Sequence, residues 1–223
     1  MYFFIKIFRN IYKVFFITLL MVLAGAAIFI YLPKELSARL IDEDGLVETL
    51  QVILFVIGAI ICLVYKACKI WEEGLSGGFL LTILALRELD FQIKFTEISI
   101  TRTKYYFSPD VSLTAKIVGG IVVFSILYVL IAFARRNLSK LIDGIINQKI
   151  WSILTINGIL FIAAAMIIDR SLTILTLIGF EDTIKMEFTK TFFEEMAELA
   201  IPALFLAALI TYGVIFYKTR KTN

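Results

Sequence analysis

Leu86-Arg87-Glu88-Leu89-Asp90-Phe91 closes an uncharged run of 13 residues that begins at Gly74. At about 1.5 Å per residue, the run covers about 20 Å of helix, against a hydrocarbon core of about 30 Å. If the segment crosses a bilayer, Arg87, Glu88 and Asp90 lie inside it or at its edge. Ionisable residues at that depth are costly, and by default they mark function.

The rest of the chain decides that a bilayer is the right solvent. Outward from this stretch, uncharged runs fill Val14 to Pro33, Ile117 to Ala134, Ile150 to Ile168 and Leu199 to Tyr217, and Leu46 to Tyr65 is apolar after Glu48 and Gln51. Each is about the 20 residues that a membrane helix needs. Of the 223 residues, 60% are hydrophobic and 18% charged, with mean hydropathy +0.91, far from a soluble domain. The sequence therefore predicts an all-α, polytopic integral membrane protein. It forms one bundle of about six transmembrane helices, at 14–33, 46–65, 75–91, 117–134, 150–168 and 195–217.

The connectors carry their own signals. Residues 1–13 mix Tyr2, Phe3, Phe4 and Phe8 with Lys6, Arg9 and Lys13, which suits an interfacial segment on an anionic leaflet. Ala24-Gly25-Ala26 fits a signal-peptide cleavage site, but the apolar run continues to Leu32, so the expectation is an uncleaved first helix. Asp42-Glu43-Asp44 suits the positive end of the second helix. Lys104-Tyr105-Tyr106-Phe107 fits an interfacial patch. Ser108-Pro109 reads as a cap followed by proline at the first helical position. A connector follows Arg135-Arg136 and carries Lys140 and Lys149. Ser171 to Phe180 is too short to span and reads as interfacial or re-entrant. Thr191 and Glu194 have the spacing of a capping box.

Orientation follows from the basic residues. Three Lys/Arg in residues 1–13, two in 66–73, four in 135–149 and three in 218–223 make 12 of the 22. These segments share one side of a six-helix topology. Arg135-Arg136 and the C-terminal cluster abut their spans, which places both termini in the cytoplasm and the chain in the plasma (inner) membrane.

In that topology several charged positions converge on the outer boundary. They are Glu48 and Gln51, Arg87, Glu88 and Asp90, Asp169 and Arg170, and Glu194, Glu195 and Glu198. Glu48 with Gln51, Arg87 with Asp90, and Glu195 with Glu198 are each spaced i,i+3 and so share a helix face. Fully ionised, the set carries seven negative and two positive charges, a net −5. Such an excess is stable only if carboxylates are protonated, a cation is bound, or several groups face water. Pro202 adds that the Glu198 carbonyl loses its usual helical partner.

The candidate ligand-binding residues are thus Glu48, Gln51, Arg87, Glu88, Asp90, Glu195 and Glu198, with no catalytic assignment. There are no histidines, so neither a His-based zinc site nor an imidazole acid/base is expected. Six-helix intramembrane hydrolases of the ceramidase and progestin-receptor type need such histidines and are excluded. Walker and HExxH patterns are absent as well, and no haem or nucleotide is expected. Cys62 and Cys68, six apart, point to different faces of one helix and form no redox pair. The sequence names no cofactor, and a divalent cation held by carboxylate oxygens is one that this residue set admits. Three function classes fit. One is cation or polar-solute binding or transport through an outward carboxylate pocket. Another is a metal-dependent enzyme acting on a lipid or polyprenyl substrate, with Arg87 on its anionic group. The third is an accessory or assembly protein whose polar cluster fixes packing, with Tyr105-Tyr106-Phe107 as a docking edge. The expected partners are the lipid bilayer and either a membrane-protein partner or a second copy, with no nucleic acid at a net charge of +3.

Overall fold

The computed structural model describes residues 2–33, 40, 45–91, 98–177 and 184–222. Most of the connector at 34–44, with Asp42-Glu43-Asp44, lies outside the described residues. So do positions 92–97 of the long connector and 178–183, which include the end of the Ser171–Phe180 segment. Among the described residues there are eight helices and no strand. They are α1 (Tyr2–Tyr31), α2 (Leu46–Ala67), α3 (Gly74–Glu88), α4 (Thr103–Phe107), α5 (Leu113–Ile146), α6 (Ile150–Asp169), α7 (Ser171–Leu177) and α8 (Ile184–Thr222).

Four of these are long and apolar enough to cross a membrane: Leu46–Ala67, Leu113–Ile146, Ile150–Asp169 and Thr189–Lys221 within α8. The chain is therefore an all-helical membrane protein. In α1 the described apolar stretch is Asn10–Gly25. α3 has 15 residues and ends at Glu88, short of the expected 91. At about 22 Å it remains under the hydrocarbon thickness.

Several helices run through the charges that bound the apolar runs. α1 is continuous from Tyr2, so the basic-aromatic start belongs to the same helix as the apolar run. α5 continues past Arg135-Arg136 to Ile146, making a helix of the expected connector. It starts at Leu113, where the Ser112 hydroxyl accepts the Ala115 N–H at 3.2 Å, so Ser112 takes the role expected of Ser108. Ser108 instead accepts from Asp110 N–H within a turn, at 3.3 Å. α8 begins at Ile184, which puts Thr191 and Glu194 inside the helix and removes the expected capping box. A charge stops the apolar run but not the helix, because Arg, Lys and Glu are good helix formers.

The chain divides into two compact units, residues 1–54 with 141–223, and residues 55–140. The division passes through α2 and α5. In the first unit, α6 and α8 form the most extensive helix pair, and α1 packs on both. Gly158 makes the α6–α8 approach possible: a β-carbon there would meet the Phe205 ring at 2.6 Å. Phe15 of α1 lies 5.2 Å from Phe161, and Trp151 meets Tyr212 edge-on at 5.5 Å.

In the second unit, α2 turns back into α3 through Lys69, in the left-handed region at φ 55. Ile70 N–H reaches Tyr65 C=O at 2.8 Å and Lys69 N–H reaches Lys66 C=O at 3.2 Å, the paired bonds of a Schellman ending. α5 ends the same way in the first unit, on Gln148 at φ 54. Gly74 is demanded by the hairpin, since its β-carbon would collide with the main-chain oxygen of Cys62. Tyr105, expected at an interface, is instead 1% exposed, and its hydroxyl donates to Ala115 C=O at 3.0 Å. The short α4 is pinned to α5 by that bond, so Tyr105 is no docking edge; Phe107 is the exposed member.

Candidate functional site: a polar joint between α2 and α8

The first two turns of α2 carry Glu48 and Gln51 on one face, and Gln51 is turned into the first unit. Its side chain is 1% exposed, and its Nε2 donates to two oxygens of α8: the Glu195 carboxylate at 3.1 Å and the Glu195 main-chain carbonyl at 3.2 Å. Reversing the amide would set its oxygen against both, so chemistry fixes which end is which. The Gln51 Oε1 is buried and has no hydrogen-bond partner among the described residues.

Glu195 is half-buried, and like charges surround it. Glu198 acts on its carboxylate most strongly, then Glu48 and Glu194. Four carboxylates and one amide thus gather where α2 meets α8. Beside them Lys190, one turn before Glu194, lies 2.7 Å from the Glu194 carboxylate and 3.1 Å from Asp169 at the end of α6. That bridge ties α6 to α8 and gives Glu194 an ion-pair role where a cap was expected.

Of the seven sequence-predicted site residues, Glu48, Gln51, Glu195 and Glu198 come together in this unit. Arg87, Glu88 and Asp90 belong to the second unit. There the Arg87 guanidinium lies 3.8 Å from Glu88, with the arginine side chain 54% exposed and the glutamate largely buried. Asp90 sits at φ 47, and its N–H bonds Arg87 C=O at 3.0 Å, so it closes α3. Among the described residues, no three His, Cys, Asp or Glu side chains converge closely enough to hold a metal ion.

Two features escaped the sequence reading. One is Lys190, whose signal was its i,i+4 spacing from Glu194. The other is Asn157, fully buried in the middle of α6. Its Nδ2 donates to Ile153 C=O at 2.8 Å and reaches Ile11 C=O of α1 at 3.4 Å, while its Oδ1 has no partner among the described residues. An amide in an otherwise apolar span was the available signal. Nearby, Asn10 donates to Gln148 at 2.9 Å, again joining α1 to the α5–α6 turn. Comparison with protein-family models, with curated proteins and with solved structures finds no match.

Proposed function

We propose that this chain is a six-span protein of the plasma (inner) membrane, with both termini cytoplasmic, that binds a cation or polar solute at the α2–α8 acidic joint as part of transport. In this reading α1 and α3 add the fifth and sixth crossings. The observation that carries it is the Gln51–Glu195 contact: a buried amide holds one carboxylate in a cluster with Glu48, Glu194 and Glu198. Like-charged carboxylates on one joint repel one another, and a bound cation relieves the repulsion.

Thermal unfolding of the detergent-purified protein tests it. The salts are sodium, potassium, magnesium, calcium and methylammonium chloride, each against choline chloride at matched ionic strength. A ligand that binds only the folded state raises the midpoint. At least one cation is expected to do so, and Glu48→Gln with Glu198→Gln is expected to remove the response. Equal midpoints in every salt overturn the proposal. Topology has its own test. Cys68, exposed just after α2, is expected to resist a membrane-impermeant maleimide in intact cells and to react after permeabilisation; labelling from outside would invert the orientation.

One observation favours an assembly role as a second reading. The apolar window of α5 is only 6% buried, against 33% in α2 and α6, and Ile121, Phe124 and Tyr128 stand exposed along it. Co-purification of a stoichiometric membrane partner, lost when those side chains are replaced, would move the balance to that reading.

A further inference from the structure

We propose that a second copy of this chain covers the exposed face of α5, with the Tyr128 hydroxyl of each copy donating to the Ser125 hydroxyl of the other. The inference rests on the assembly reading above and names its partner; it does not depend on cation binding.

Ile121, Phe124, Ser125, Tyr128 and Val129 line one groove along α5, so their side chains share one side of the helix. No residue between Lys116 and Arg135 is charged, which puts this groove inside the hydrocarbon stretch. Lipid tails cover apolar side chains as well as another helix does, so Ile121, Phe124 and Val129 by themselves name no partner. The two hydroxyls do.

Tyr128 stands seven residues before Arg135, about 10 Å into the bilayer, and a helical side chain of this length leans toward the helix start, deeper still. It is 75% exposed, and its hydroxyl makes no hydrogen bond among the described residues. A phenol O–H facing hydrocarbon finds no water there, and leaving it unpaired is costly. Ser125 is the complement. Its own O–H is spent on Ile121 C=O at 2.7 Å, and its oxygen can still accept.

One face thus carries an unused donor and an unused acceptor. They are three residues apart, about 4.5 Å along the axis, and the lean of the tyrosine brings its hydroxyl toward the depth of the serine. Two copies inserted the same way are related by a twofold axis along the membrane normal, which brings equal depths together. A donor and an acceptor at one depth on one face are then self-complementary, and each copy gives one bond and takes one. An unlike partner would have to supply both groups at this depth; a second copy supplies them by symmetry. Arg135 lies on the same face two turns on, at headgroup level, where water and salt screen the repulsion between copies.

The experiment uses the full chain. Copies labelled at the exposed Cys68 with donor or acceptor dye are mixed in detergent, and energy transfer is followed as the detergent-to-protein ratio rises. The unmodified chain is expected to self-associate. Tyr128→Phe is expected to weaken the association about tenfold, because symmetry removes two bonds at once. Ser125→Ala is expected to do the same, and the two changes together no more, since each breaks the same bonds. In native membranes, on a background of Cys62→Ala with Cys68→Ser, Ile121→Cys is expected to crosslink into a dimer on oxidation. Leu130→Cys, exposed half a turn round the helix, is expected to stay monomeric. A link between identical positions can only join two copies. Failure of both self-association and the Ile121→Cys crosslink overturns the proposal. If a different membrane protein then co-purifies stoichiometrically, the assembly reading stands without it; if none does, that reading falls as well. Equal crosslinking through Leu130→Cys also overturns the proposal, as does a single variant without effect or a double variant whose loss is the sum of the two.

Discussion

The two units hold their helices together by different means. In the first, side chains reach across: Gln51 to Glu195, Lys190 to Asp169, Asn10 to Gln148 and Asn157 toward Ile11. In the second, the α2–α3 hairpin closes through absence of side chain, with Gly74, Gly77 and Gly78 set against Cys62, Trp71 and Ala59. Its polar links, Trp71 to Asn137 at 3.2 Å and Arg136 to Glu73 at 3.3 Å, run from the α2–α3 turn to α5. Lipid supplies little hydrophobic drive between helices, so close backbone approach and interhelical hydrogen bonds are the two available adhesives. Polar contacts cost more to bury and specify more about position. Their concentration in the first unit is what separates a candidate site from a packing scaffold.

Breaking the scaffold is expected to cost most. Gly74→Val drives a branched side chain into the Cys62 main chain, which cannot move aside as a flexible side chain would. A loss of about 3 kcal/mol is expected in unfolding by detergent titration; a loss under about 1 kcal/mol would show that the hairpin is slack. Gln51→Leu comes next. It leaves the Glu195 carboxylate without its amide donor but also removes an unsatisfied oxygen, so about 1 kcal/mol is expected. A variant as stable as the parent would place the joint's value wholly in function. Arg136→Ala is expected to be the mildest. The arginine is 66% exposed, and such pairs contribute about 0–1 kcal/mol. A larger loss there would mean that the second unit, too, depends on charge.

The membrane class was legible because a run of about 20 uncharged residues has few other physical explanations. The four long spans follow directly from Leu46–Tyr65, Ile117–Ala134, Ile150–Ile168 and Leu199–Tyr217. Helix ends were far less legible. Thr191 with Glu194 and Ser108 with Pro109 matched capping patterns, but such patterns record local opportunity, and α8 and the chain before α5 found other partners. The meeting of Glu48, Gln51, Glu195 and Glu198 was half legible. Spacing put each pair on one helix face, whereas the contact between α2 and α8 depends on packing between distant segments. Arg87, the one cation among the expected ligand-binding residues, belongs to the second unit. In the first unit a cation beside the carboxylates, among the described residues, is Lys190, and nothing in its local sequence marked it above other lysines except Glu194 one turn on.

Pro202 gives α8 a mechanical character. It lies almost halfway along the 39-residue helix, fully buried, and cannot donate the main-chain bond that would tie it to Glu198. A helix missing one rung bends there more readily than elsewhere. The span from Pro202 back to Glu195 is about 10 Å, so a bend of about 12° swings Glu195 by about 2 Å. The helix is then a lever with its fulcrum beside the Gly158–Phe205 contact and its load at Glu195. A small flexure deep in the bundle is enough to make or break the grip of Gln51.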